Sequence, residues 1–188
     1  IARGMAEKLK NTGVYDSKLR MYKTSESLEN ESMEIGRIRA FTPGWLERES
    51  IFLHMEYKYF LGLLKAGLYD EFFSAIDTAL IPNLDAKTYG RSVLENSSFL
   101  ASSANPDPTV HGRGFVGRLS GSTVEMLSMW KRMFIGDGGF AFRDGALYFR
   151  FAPILSGAFF DENGEASFTL CNSCVVRYHN IRRKKTYE

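Results

Sequence analysis

The sequence predicts an α+β chain, helical first and strand-rich last. Three observations carry this reading. Apolar residues recur at helical spacing from Trp45 to Leu80, and a second helical pattern runs from about Ser122 to Phe134. After Gly136 the spacing changes to alternation, as in ALYFRF over 146–151. With 188 residues, the chain holds one domain, or one and a small second one.

Ala2 to Lys10 reads as the end of a helix, stopped by Asn11-Thr12-Gly13. Ser25 to Glu34 (SESLENESME) is acidic and Ser-rich, as in a surface loop. Pro43 and Gly44 make a turn. From Trp45 a helical pattern runs to about Lys65, with Leu46, Leu53, Phe60 and Leu64 on one face and Phe52, Tyr57, Leu61 and Leu63 widening it. Ala66-Gly67 ends that helix. Leu68 to Leu80 forms a second, with Leu68, Phe72, Ala75, Ile76 and Leu80 inward, so the pair is an αα-hairpin. Trp45 and Glu49, with His54 nearby, suit sugar binding: a ring packs on the CH face of a pyranose and acids take its hydroxyls. The same residues also fit a core tryptophan at a helix end, a surface charge cluster and a satisfied histidine.

Residues 82–110 are rich in Ser, Asn, Pro and Ala and read as a long loop, with a short strand or helix within Tyr89 to Leu100. The next stretch, HGRGFVGRLSGSTVEMLSMWKRMF (111–134), opens with glycines and cations and closes as a helix. Ser120, Ser122 and Thr123 are good N-cap types, and Glu125 sits where a capping-box acid follows Ser122. Val124, Leu127 and Phe134 share a face, with Trp130 and Met133 beside it. A helix start offers free N–H groups and partial positive charge to an anion. Gly121 lets the backbone approach, and Arg113, Arg118 and His111 supply cations for a phosphate cradle. A plain glycine-rich connector before a capped core helix fits the letters equally well.

Beyond Phe134, the segments 146–151, 157–160, 166–170 and 175–179 read as strands. Asp161 to Gly164 (DENG) and Asn172-Ser173 read as hairpin turns. Cys171 and Cys174 then flank a tight turn as ordinary strand-end cysteines; a single CxxC without a second pair is half a zinc site or a redox pair at most. The basic tail Arg182 to Lys185 could touch phosphate-bearing partners, but terminal charges of this kind usually read as solvated.

The totals narrow the partners. A hydrophobic content of 44% with 14% aromatics is enough for a core, and a net charge of +2 calls for no nucleic acid. No run approaches the roughly 18 apolar residues of a membrane helix. No secretory pattern is read at the start, so a cytoplasmic setting is expected. The chain opens at Ile1 rather than Met, as a piece of something longer, or a processed chain, would.

Three stretches carry a family resemblance: FTPGWLERESIFLHMEYKYFLGLLKAGLYDEFF (41–73), GFVGRLSGSTVEMLSMW (114–130) and DGALYFRFAPILSGAFFDENGEASFTL (144–170). In these the chain resembles the C-terminal part of the inverting glycoside phosphorylases of the cellobiose-phosphorylase type (glycoside hydrolase family 94). The resemblance implies the terminal helices of an (α/α)6 toroid (1–137) followed by a small antiparallel β-sandwich domain (138–188). It implies phosphorolysis: phosphate attacks the anomeric carbon of a β-glycoside while an aspartic acid protonates the leaving sugar. No metal or cofactor is needed beyond phosphate as substrate. The family's Thr-Gly phosphate pair matches Ser120-Gly121, where serine keeps the hydroxyl; the aromatic that usually follows is absent from STVEML. Phosphate contacts then fall to Arg118, Ser120, Gly121, Ser122 and His111, and sugar contacts to Trp45, Glu49 and His54. The family's general acid lies upstream of these motifs, so the 188 residues are expected to be inactive alone and to partner the remainder of a parent chain, an oligosaccharide and phosphate. A partial toroid exposes an apolar flank that invites association, a homo-dimer included. The rival readings are an (α/α)6 hydrolase using water and a non-catalytic carbohydrate-binding or structural module.

Overall fold

The structure, a computed structural model, describes residues 1–117 and 121–188. The chain is α+β, with short antiparallel sheets among its helices. It divides into two compact units, Ile1–Met126 and Leu127–Glu188.

The first unit opens with α1 (Ala2–Leu9), then a small hairpin of β1 (Tyr15–Asp16) and β2 (Met21–Tyr22). Strand β3 (Ile51–Phe52) runs directly into α2 (Leu53–Lys65), and α3 (Tyr69–Ala79) follows. The turn between the helices is a Schellman motif. Gly67 takes φ +72°, the Leu68 N–H donates to the Leu63 carbonyl at 3.0 Å and the Gly67 N–H to that of Leu64. Helix α2 buries Leu53, Tyr57, Phe60, Leu61, Leu63 and Leu64 against Phe72 and Ile76 of its neighbour's inner stripe. A short α4 (Ala86–Tyr89), capped by Asp85, precedes β4 (Ser97–Leu100) and β5 (Gly114–Gly117).

Residues 45–50 correct the expected helix. Leu46 and Glu49 have φ of +47° and +57°, and Trp45 and Arg48 exchange backbone hydrogen bonds at 3.1 Å across a tight loop. Arg48 drives the bend. Its buried guanidinium donates to the Arg39 and Phe41 carbonyls, each at 3.0 Å, and anchors the loop to an earlier turn. Those tertiary bonds outweigh the helical preference of LERE.

Helix α5 spans Gly121–Phe134, starting within a residue of the expected Ser122. Its buried positions are Ser122, Met129 and Met133, whereas Val124 and Leu127, expected inward, are 62% and 61% exposed.

The second unit carries two hairpins, β6 (Phe140–Arg143) with β7 (Ala146–Phe149), and β8 (Glu165–Leu170) with β9 (Cys174–His179). Asp144-Gly145, both at positive φ, close the first in two residues. Residues 171–173 turn the second, with Cys171 and Asn172 at φ +50° and +57°; Cys171 lies inside this turn, not beside it, and Cys174 opens β9 opposite Leu170. Phe134, Phe159, Phe168 and Trp130 pack ring on ring in this unit. The expected strand at 157–160 is instead a 3-10 turn over Gly157–Phe159, so DENG leads into β8 rather than joining two strands. Asp161 shapes that turn by accepting from the Asn163 and Glu165 N–H groups. Among the described residues no helix is long and apolar enough to cross a membrane.

Candidate functional site

The chemistry-bearing residues of the first unit gather around a three-stranded antiparallel sheet, ordered β3-β4-β5. Its register sets Phe52 beside Phe99 and Phe99 beside Phe115. The three rings form a row, stacked at 5.7 Å and 5.6 Å with interplanar angles of 18° and 24°. Trp45 closes the row edge-on, at 5.1 Å from Phe99 and 4.4 Å from Phe115. Phe99 is fully buried at the centre, while Trp45, Phe52 and Phe115 are half-buried and form an aromatic ledge. Such a ledge combines apolar area with ring faces or edges that C–H groups can meet.

Both outer strands lead toward helix starts. Strand β3 enters α2, placing His54 in its first turn, and β5 precedes α5 and Gly121. The His54 ring lies directly against Gly121, so that a Cβ there would collide with the imidazole. His54 Nε2 stands 3.5 Å from the Glu125 carboxylate, one turn further along α5. The His54 side chain is 44% exposed.

A polar relay fixes the same helix start from behind. The Ile81 N–H donates to the Tyr57 hydroxyl at 3.1 Å, and that hydroxyl donates to Asn96 Oδ1 at 3.3 Å. Asn96 Nδ2 in turn donates to Thr123 Oγ1 at 3.3 Å. Tyr57 is fully buried, and burial raises its phenol far above the ordinary range, so it serves as a neutral donor and acceptor. The first turn of α5 is therefore held by His54 on one side and Asn96 on another.

The expected site residues separate into groups. Gly121 and His54 come together, although they were assigned to phosphate and sugar respectively. Ser122 lies inside the first turn of α5 and is fully buried. Arg118 and Ser120 fall outside the described residues. His111 sits elsewhere in the unit: its Nε2–H donates to the Asn105 carbonyl at 2.7 Å and its Nδ1 accepts from Lys18 Nζ at 2.8 Å. Both ring nitrogens are thus taken by protein. Arg113 lays its guanidinium over Gly90. Trp45 joins the ledge, but Glu49 turns inward, 4% exposed, with its carboxylate 3.4 Å from Lys23 and 3.8 Å from Arg48. The two do not meet at the mouth of a helical hairpin, because residues 45–50 are a loop.

Sequence reasoning passed over Phe52 with Phe115, and Asn96. Phe115 was visible as an aromatic inside the glycine stretch; nothing local marked Phe52 or Asn96 as site residues. Cys171 and Cys174 are exposed free thiols, and among the described residues no group of three or more His, Cys, Asp or Glu is placed to hold a metal ion. No protein-family model matches the chain, and no curated protein matches it.

Proposed function

We propose that this chain contributes the phosphate side of the active site of a glycoside phosphorylase of the cellobiose-phosphorylase type. In this reading the helices of the first unit belong to an (α/α)6 toroid, and the hairpins of the second to its closing β-sandwich domain. The observation that carries it is His54 seated on Gly121 at the start of α5, beside an aromatic ledge. A helix start offers N–H groups to an oxyanion. Gly121 leaves room for the His54 imidazole to seat at the helix start, where it adds a ring nitrogen. With Nε2 toward Glu125, Nδ1 accepts from a phosphate hydroxyl or, when protonated, donates to a phosphate oxygen. Phosphate is at once nucleophile and anion, so positioning and charge complementarity are what the protein must supply. The sugar rests on the ledge of Trp45 and Phe115. Glu49 has no sugar role in this scheme, since its charge is spent on Lys23 and Arg48.

No side chain in this constellation is assigned as the general acid, which belongs to another part of the enzyme. The 188 residues alone are therefore expected not to cleave a disaccharide. The ledge also supports a second reading, a carbohydrate-binding module with no turnover. The longer protein decides between them. Phosphate-dependent cleavage of a β-linked disaccharide supports the phosphorylase, and phosphate-independent cleavage points to a hydrolase. Sugar binding without cleavage points to the module. The compartment proposed is the cytoplasm, where phosphate is a ready co-substrate.

A further inference from the structure

The two cysteines of the chain stand together at one hairpin tip, and packing holds neither of them there. Free cysteine is ordinarily among the most buried residue types, yet Cys171 and Cys174 are both exposed and free. Cys171 sits at φ +50°, in the left-handed region that glycine or asparagine occupies at less cost. Its neighbour Asn172, at φ +57°, meets that preference, and Cys171 does not. Backbone geometry therefore does not account for a thiol at 171, and burial does not account for one at 174.

What the two share is the turn. Strands β8 and β9 pair in register as far as Leu170 opposite Cys174, and the Ser173 N–H donates to the Leu170 carbonyl at 3.2 Å. Cys171 follows Leu170 directly, so it leaves one strand where Cys174 enters the other. The Ser173 hydroxyl donates to the Cys171 carbonyl at 3.3 Å and ties the backbone between them. Two thiols three positions apart thus belong to one closed turn, and both are open to a small reagent. A metal ion needs further ligands, and among the described residues no third His, Cys, Asp or Glu joins the pair in a group that could hold one. Thiol–disulfide exchange needs only these two.

We propose that Cys171 and Cys174 are a reversible dithiol–disulfide couple, oxidised by exchange with a low-molecular-weight disulfide of the glutathione type. One cysteine, as thiolate, attacks a sulfur of the small disulfide. That S–S bond breaks, and the small thiol that leaves takes up the proton the cysteine gave up. The second cysteine, as thiolate, then attacks the protein-side sulfur of the mixed disulfide and expels the other small thiol, which takes the second proton. Two protein thiols are oxidised to one disulfide, and one small disulfide is reduced to two thiols. The turn favours the second step, because it keeps the resolving cysteine near the mixed disulfide. Closing the bond staples the tip of β8–β9. The couple lies wholly within the second unit and stands independently of the helix-start site around Gly121.

Exchange of the reduced 188-residue chain with oxidised glutathione tests it, stopped by iodoacetamide and read by intact mass, peptide mapping and a non-reducing gel. The expected product is a monomer lighter by two hydrogen atoms, with neither cysteine alkylated, and returned to the dithiol by dithiothreitol. Cys171→Ser and Cys174→Ser, their folding confirmed by circular dichroism, are each expected to stop at one attached glutathione. In glutathione buffers the equilibrium is expected to lie at least about tenfold further toward the disulfide in the folded chain than in urea, since the turn holds the thiols together. Four results overturn the proposal: accumulation of the wild-type chain as a glutathione adduct, a disulfide-linked dimer, thiols that stay open to alkylation, or an equilibrium no further toward the disulfide than in urea.

Discussion

The His54 imidazole rests on Gly121, with Nε2 3.5 Å from the Glu125 carboxylate. This contact joins the first turn of α2 to the first turn of α5. A side chain at residue 121 would displace the histidine.

The relay behind that contact has a measurable cost. Tyr57→Phe removes the hydroxyl that accepts from the buried Ile81 N–H and donates to Asn96. Chemical denaturation should show a loss of about 1–3 kcal/mol, the range for leaving a buried donor unsatisfied. Asn96→Ala, in the same chain of bonds, should be markedly less than additive with it.

Glu56 makes stability depend on pH. Its carboxyl is buried on α2, and burial pushes it from 4.5 up to about 8 against the opposing hydrogen bond from the Tyr22 N–H. The folded chain therefore keeps this proton where the unfolded chain releases it. The contribution is complete below about pH 4.5 and declines as pH rises to about 8, by at most about 1.4 kcal/mol per pH unit. Glu56→Gln, of the same shape and without the charge, should flatten the dependence and raise stability at neutral pH. Melts of both proteins from pH 4 to 9 check this.

The hairpins of the second unit answer to their turn residues. Gly145→Val places a β-branched residue at φ +76° and should cost about 1–2 kcal/mol. Cys171→Gly relieves a non-glycine residue at φ +50° and should stabilise by roughly 0.5 kcal/mol after the entropy of glycine is offset. Paired thermal melts separate the two directions.

How far the sequence could be read depended on where each element draws its order. The α2–α3 hairpin was legible, because Leu53, Phe60, Leu64, Phe72 and Ile76 carry helical spacing and Gly67 carries the stop. The loop at 45–50 was not, because its cause is Arg48 reaching carbonyls at 39 and 41. Strand β6 was missed even though FAFR-DG-ALYF holds a two-residue hairpin signal. Phe159 and Phe160 read as a strand but close a 3-10 turn instead. On α5 the apolar letters misled: Val124 and Leu127 lie exposed, and the buried stripe is Ser122, Met129 and Met133. At the candidate site, Gly121 and the helix start were visible in the glycine pattern. His54 was singled out as a sugar contact, but its pairing with Gly121 was not legible, since 67 positions separate them and only the fold brings them together.

The central claim is that an oxyanion is received at the start of α5 beside His54. Titration of inorganic phosphate into the isotope-labelled 188-residue chain, followed by amide and imidazole NMR shifts, tests it most directly. Saturable shifts at Gly121, Ser122 and His54 are expected in the wild type, and their loss in Gly121→Ala with the fold intact. No shift at these residues, or shifts confined to the Lys184–Lys185 region, would contradict it.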